Sequence, residues 1–230
     1  MKVPDRPRGA LVEDWQPRLA PDDRLLFGAD VVVEPLDVAR HAPALWQAFS
    51  PDREGRLWDY MGYGPFANEI EMAMTYEKVA AGNDPKFYAF IAKASCRAEG
   101  VASFMRIAPE HGVIEIGHIC LAPALQHTRA ATEALFLMMR HALDELGYRR
   151  LEWKCDALNQ PSRRAAERLG FTFEGVFRHH MVVKGRNRDT AWFAIIAEDW
   201  PPLRQAFNRW LAAGNFDAEG RQRKPLAAFR

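Results

Sequence analysis

The sequence predicts one α/β domain of the α+β kind, with a mixed, mostly antiparallel sheet flanked by helices, and three observations predict it. The runs "KFYAFIAK", "GVASFMRIAP" and "GVIEIGHICLAP" follow one another with only short polar turns between them, as an antiparallel meander does. A long segment from Arg129 to Leu146 carries Leu135, Met138, Met139, Ala142, Leu143 and Leu146 as one helical stripe and lies between two strand-like runs. A final hairpin pattern, "EGVFRHHMVVKGRNRDTAWFAII", turns near Gly185.

The remaining elements fit around these. "ADVVVEPL" is a β-branched strand stopped at Pro35, and "DVARHAPALWQAF" is a helix capped by Asp37, with Leu45, Ala48 and Phe49 at helical spacing. Residues 57 to 80 start as an aromatic loop with Gly62, Gly64 and Pro65 and become helical around Ile70, Met74 and Val79. After Gly147 stops the long helix, "YRRLEWKC" is a strand, "SRRAAERL" a short helix closed by Gly170, and a last helix from Leu203 carries Phe207, Trp210 and Leu211. The domain organisation is an N-terminal arm over 1–27, one domain over 28–200, and a C-terminal helix and tail over 201–230. The strands on either side of the long helix are expected to be parallel, which brings that helix's N-terminus to the C-terminal edge of the sheet, where ligands bind in α/β proteins.

Composition narrows the function. The 230 residues carry 31 basic and 30 acidic side chains, a balance whose whole-protein field offers little attraction for nucleic acid or an anionic membrane surface and leaves room for a local basic patch. Cys96, Cys120 and Cys155 are odd in number and lack CxxC spacing, which argues against a disulfide framework or a metal site and fits a reducing cytoplasm. No run reaches the ~18 apolar residues of a membrane span, and the N-terminal arm lacks the apolar core of a secretion signal.

The loop "LQHTRAATEA" opens the long helix. Thr128 can cap it by accepting from Ala130 or Ala131, and the remaining first-turn amides, with the positive end of the helix dipole, suit phosphate oxygens. Ala130 and Ala131 are small enough to let a ligand approach the backbone; Arg129 and His127 can add charge or hydrogen bonds, with Gln126 supporting the loop. A plain helix cap has the same appearance.

The run "EIGHICLAPALQHTRAATEAL", followed after one strand by "NQPSRRAAERLGF", resembles the acetyl-CoA motif of the GNAT N-acetyltransferases, in the ribosomal-protein N-terminal (RimJ/RimL-like) branch. The resemblance covers about residues 28 to 200 and implies the GNAT fold, with about six or seven strands splayed in the middle and about four or five flanking helices. It implies acetyl-CoA as cosubstrate, and no metal. Ile119, Cys120 and Leu121 would face the pantetheine arm, the loop from Gln126 through Ala131 to Thr132 the pyrophosphate, Asn159 and Ser162 the thioester end, and Arg163 or Arg164 the outer phosphates. The family reads glycine where this chain has Arg129 and glycine or alanine at Ala131. Many relatives carry tyrosine where Ala166 stands.

Acetyl transfer needs a neutral amine, so a base must take its proton, an α-amine near pKa ~7.7 to 8 being only partly neutral at pH 7. Glu115 resembles the glutamate that many of these enzymes use, directly or through water, and His118 is second choice. Strand alternation places the two on opposite faces, so at most one serves. A backbone N–H near Ile119 or Cys120 is the natural oxyanion donor. Ser162 is the remaining hydroxyl for the leaving thiolate, and helix capping is its competing role. Trp58, Tyr60, Tyr63, Trp153 and His179, with His180 nearby, are candidate acceptor walls, suited to an ammonium group. Core packing or a homodimer contact explains them equally well. Lys184, Arg186 and Arg188 lie on a hairpin turn, either solvated or facing an anionic group. The expected function is acetyl transfer to a primary amine, a protein or peptide N-terminus or a small amine, in a ternary complex. The alternative is a catalytically weak CoA-binding sensor or scaffold.

Overall fold

The computed structural model describes residues 6–230, so the first residues of the predicted arm, 1–5, lie outside the described residues. The elements are β1 (Leu26–Phe27), β2 (Val31–Pro35), α1 (Val38–Phe49), α2 (Glu69–Val79), β3 (Lys86–Ala92), β4 (Arg97–Ala108), β5 (Val113–Leu121), α3 (Arg129–Arg140), β6 (Arg150–Asp156), α4 (Gln160–Leu169), β7 (Thr172–Val183), β8 (Arg186–Ile196) and α5 (Trp200–Leu211). The strands form one eight-stranded sheet in the order β1-β2-β3-β4-β5-β6-β8-β7. Every pairing is antiparallel except β5 with β6, which α3 connects.

The count exceeds the expected one because Leu26 and Phe27, inside the predicted arm, pair with Val33 and Val32. The described part of the arm is docked rather than loose. Trp15 donates its indole N–H to the Glu110 carbonyl, the Arg18 amide bonds Pro109, and the Tyr88 hydroxyl donates to the Asp22 carbonyl.

Alternation along the strands buries two cores. On one face α1 and α2 lay Leu45, Phe49, Met72 and Tyr76 over Phe87, Ala89 and Val101. On the other, α3 lays Leu135, Met138 and Met139 over Val33, Phe90, Phe104 and Ile116, and α5 backs it with Phe207 and Trp210. α4 sits on that second face against β6 and β7. The first face is therefore helix-covered over β3 and β4 but not over β6, β8 and β7.

The predicted long helix changes character at its end. α3 is α-helical to Arg140, then His141–Glu145 form a π-helical turn before Gly147 takes φ 70°, the left-handed conformation of a helix stop. The cap predicted at Asp37 is present, its carboxylate accepting from the Arg40 amide.

Glu133, buried on α3, accepts from the amides of Ala29 and Asp30 at 2.7 Å each, so it closes the β1–β2 turn onto the helix. Those donors have no other partner if the carboxylate is removed. Glu133→Ala is expected to cost about 3 kcal/mol in denaturant unfolding; a loss under about 0.5 kcal/mol would mean water replaces the carboxylate there.

Candidate active site

β5 and β6 are paired only from Val113–Arg150 to Glu115–Glu152. Beyond that point each runs on unbridged to the other, β5 to Leu121 and β6 to Asp156, leaving a fork that opens toward the start of α3.

A bulge in β5 helps turn it aside. Val101 pairs with Cys120 and Ser103 with Gly117, so three steps on β5 match two on β4, and His118 takes φ 51°. A Cβ at Gly117 would push the Met105 thioether aside, and the glycine lets that side chain lie against the bulge. The extra residue corrects the expectation that Glu115 and His118 face opposite ways. Ile114 and Ile116 point to the α3 core, whereas Glu115, His118 and Cys120 share the α1/α2 face.

At the vertex of the fork the carboxylates of Glu115 and Glu152 stand side by side, and the buried Lys154 ammonium bridges them at 3.0 and 2.6 Å. Arg106 adds a second cation to Glu115 at 2.9 Å, and Arg150 holds Glu152 at 2.7 Å and Glu174 at 2.5 Å. Lys154 also lies 3.8 Å from the centre of the Trp192 ring. Burial alone would raise the Glu152 carboxyl, but hydrogen bonds from Lys154 and Arg150 outweigh it and hold it below the usual range. Both cations reach Glu115 through Oε2, which leaves Oε1 outside the ion pairs of the network.

At the open end, Thr128 caps α3, its Oγ1 accepting from the Ala131 amide at 3.1 Å and donating to the Leu125 carbonyl. Gln126 donates to the Leu121 carbonyl, tying the loop to β5. His127 takes φ 61°. Among the described residues the amides of His127, Arg129 and Ala130 have no acceptor, and these are the donors a helix start offers to an anion.

Arg129, where glycine was expected, does not fill this corner. Its guanidinium pairs with Asp30 at 3.0 Å, donates to the Leu211 carbonyl at 2.7 Å and lies over Phe216 at 4.6 Å. Its side chain is thus unavailable to phosphate, contrary to expectation, and only its amide faces the loop. Thr132 is likewise occupied, donating to the Thr128 carbonyl and accepting from Arg168. Arg163 bonds the Ala157 carbonyl, while Arg164 is exposed.

Across the fork, Asn159 caps α4 through the Ser162 amide, and Ser162 Oγ accepts the Trp153 indole N–H at 3.0 Å. Because that donor fills an acceptor position, the Ser162 hydroxyl hydrogen is directed to another partner, the Cys155 thiol among those in reach. Burial raises the Cys155 thiol, with a hydrogen bond from Ser162 acting against it, and burial also raises Cys120.

The aromatic loop covers the α1/α2 side. Tyr63 stacks on His118, and its hydroxyl meets His118 Nδ1 at 3.1 Å. Tyr60 donates to the Leu158 carbonyl, and Lys184 on the hairpin tip donates to the Trp58 carbonyl at 2.7 Å. Two expected wall residues are core instead. Trp58 is buried among Phe49, Tyr63 and Phe66, and Trp153 lies under α4 on the opposite face. His179 is exposed on a β7 bulge, its amide held by Asp189. Lys154, Arg106 and Trp192 were not anticipated: their only sequence signal is a strand position, and the partner strands that give them meaning are distant in the chain.

This arrangement, a forked sheet with a capped helix start at its mouth, defines an acyl-CoA-dependent acetyltransferase fold. The acetyltransferase (GNAT) domain family model matches residues 30–172, and the chain belongs to that family, whose cosubstrate is acetyl-CoA; it is an N-acetyltransferase. A GCN5-related N-acetyltransferase from Brucella melitensis is 46% identical over 95% of this chain and 99% of its own, with a TM-score of 0.92. The uncharacterized N-acetyltransferase YnaD of Bacillus subtilis is 26% identical over 67% of this chain and 89% of its own. A Salmonella typhimurium acetyl transferase that modifies the N-terminal serine of 50S ribosomal subunit protein L7/L12 shares the fold at 22% identity and a TM-score of 0.64, covering 75% of this chain and 99% of its own. Among the described residues no group of three metal-binding side chains exists, and no helix is long and apolar enough to cross a membrane.

Burial, reinforced by Arg106, lowers the His118 imidazole to about 4. Between about pH 6.5 and about 4 the unfolded chain then carries a proton that the folded one does not, so this contribution is complete above that window and lost as pH falls through it. It amounts to about 2 kcal/mol of the stability difference between pH 7.5 and 5. His118→Gln is expected to shrink the drop in melting temperature between those pH values; an undiminished drop would place the imidazole in solvent.

Proposed function

We propose that this chain transfers an acetyl group from acetyl-CoA to the primary amine of a peptide or protein N-terminus, by direct attack in a ternary complex. The observation that carries the cosubstrate site is the set of free amides at His127, Arg129 and Ala130, set at the mouth of the fork, with the Arg129 guanidinium anchored away from them. The residues fit the cosubstrate. Those amides and the helix dipole receive the pyrophosphate, the inner edge of β5 around Ile119 and Leu121, where the Leu121 carbonyl already accepts from Gln126, receives the pantetheine amides, and Asn159 and Ser162 flank the thioester end.

The bound cosubstrate supplies an activated acetyl thioester. Glu115 accepts the amine's proton, directly or through water, at Oε1, while Arg106 and Lys154 fix its orientation through Oε2. His118, with its lowered basicity, remains neutral wherever an amine is reactive; it accepts hydrogen bonds and is a poor proton store. The backbone N–H of Ile119 or Cys120, just past the bulge, stabilises the charge that develops on the carbonyl oxygen. Ser162 donates to the departing sulfur. The Salmonella protein's N-terminal serine acceptor supports a peptide N-terminus here, and the three free cysteines suit a reducing cytoplasm.

One observation favours the second reading, a CoA-binding protein of weak activity. Ala166, at the position where many relatives have tyrosine, is fully buried, so Ser162 alone would serve the leaving group. Thiol release from acetyl-CoA against a panel of amines, with mass-spectrometric detection of the acetylated product, separates the two; CoA binding without turnover on any acceptor supports the second.

Arg129→Pro tests the phosphate site. Thr128 is extended at φ −87° and ψ 164°, which suits a following proline, and Arg129 opens the helix, where proline is tolerated. Arg129→Ala, which keeps the amide, is expected to leave the CoA dissociation constant within about twofold, whereas Arg129→Pro raises it by about tenfold or more. Equal affinities would place the pyrophosphate elsewhere. Ser162→Ala is expected to lower kcat by about tenfold or more with CoA affinity retained, the loss of one transition-state donor; unchanged turnover would remove Ser162 from the chemistry.

A further inference from the structure

β8 pairs with β6 only as far as Thr190, opposite Asp156 at the strand's end. From there β7 and β8 continue as a two-stranded ribbon whose register runs Met181–Arg188, Val182–Asn187 and Val183–Arg186. This ribbon projects beyond the mouth of the fork, and the Lys184 ammonium ties its tip to the Trp58 carbonyl in the aromatic loop. It therefore stands beside the entrance on the α1/α2 side, the side of Glu115 and His118.

The ribbon is cationic and uncompensated. Some exposed arginines elsewhere find carboxylates, as Arg40 does with Glu34, Arg56 with Glu54 and Arg221 with Asp217, and others such as Arg53 and Arg209 stand alone among the described residues; the ribbon differs in gathering three on one hairpin. Arg178, Arg186 and Arg188 form no ion pair among the described residues. The one carboxylate on the ribbon, Asp189, is taken up by the His179 amide at 2.7 Å and the Asn187 side chain at 2.9 Å. Between these cations Phe177 and Met181 are exposed on the face of Thr190 and Arg188, while Val182 lies on the other. Arg188 bonds Thr190, which pairs with Asp156 at the end of β6, so positive charge runs from the tip to the mouth of the fork.

We infer that this ribbon docks an acidic stretch of a polypeptide acceptor, with Arg178, Arg186 and Arg188 meeting its carboxylates while its N-terminal amine enters the fork. A polypeptide meets both surfaces at once, carboxylates on the arginines and aliphatic groups on Phe177 and Met181, which share the face of Thr190 and Arg188. A nucleic acid would leave the aliphatic groups without partners, and the net charge of +1 gives the whole chain no long-range pull on a polyanion. The inference rests on the proposed acetyl transfer only for where the amine goes; the docking itself is read by binding.

The probe is a fluorescent dodecapeptide with a free N-terminal serine followed by alternating Glu and Ala, compared with the same peptide carrying Gln or Lys for Glu. In anisotropy titrations at low salt the Glu peptide is expected to bind about tenfold or more tighter than the Gln peptide, with the advantage shrinking as salt rises. The double variant Arg178→Glu, Arg186→Glu removes that preference and leaves the CoA dissociation constant unchanged, which also shows that the variant is folded. In turnover the same variant raises KM for the Glu peptide and keeps kcat. Equal binding of the Glu and Gln peptides, a preference that survives the double variant, or equally tight binding of a single-stranded oligonucleotide of matched charge would each overturn the docking role. Absence of CoA binding in the unaltered protein would instead overturn the acetyl-transfer reading, and the peptide titrations would still decide the ribbon's role.

Discussion

The parting of β5 from β6 after Glu115 and Glu152 is the constraint on which the site depends. Parallel strands that stayed paired to their ends would satisfy each other's backbone groups and leave nothing for a ligand. Here the pairing stops at the vertex, and the bulge at Gly117 and His118 aims the rest of β5 away. The inner edges of both strands are then exposed at the place where α3 begins, and a helix start with unpartnered amides completes an anion site from backbone groups alone.

The vertex needs its own reinforcement, because two carboxylates from adjacent strands meet there. Lys154 reconciles them, and Arg106 and Arg150 extend the network across β4 to β7. Buried ion networks of this kind add little net stability against an apolar core, but they are costly to break singly and hold one geometry. In this site that geometry keeps one oxygen of Glu115 outside the ion pairs, on the face where the aromatic loop and the β7–β8 ribbon meet.

Much of the scaffold was legible in the chain. The meander, the capped crossover helix, the strand-helix pair ending at Gly170 and the hairpin turning at Gly185 each carried a local signal, in periodicity, a cap or a left-handed glycine. The free amides around Thr128 followed from the cap. What escaped was whatever depended on an irregularity or on a distant strand. A single added residue in β5 reversed the facing of His118, and no alternation rule registers a bulge. Trp58 and Trp153 looked like wall residues because aromatic side chains serve walls and cores alike; only the packing of Phe49 and Phe66 on one, and of α4 on the other, decides between these uses. The side chain of Arg129 found Asp30 and Phe216 across about a hundred and about ninety residues of chain, contacts invisible to any local reading.

Backbone hydrogen exchange with and without acetyl-CoA tests the fork most directly, because it reads the amides themselves. The account requires slowed exchange at His127, Arg129 and Ala130 and along Ile119 to Leu121, with the α2 surface unaffected. Exchange at those amides that is indifferent to saturating acetyl-CoA would contradict it.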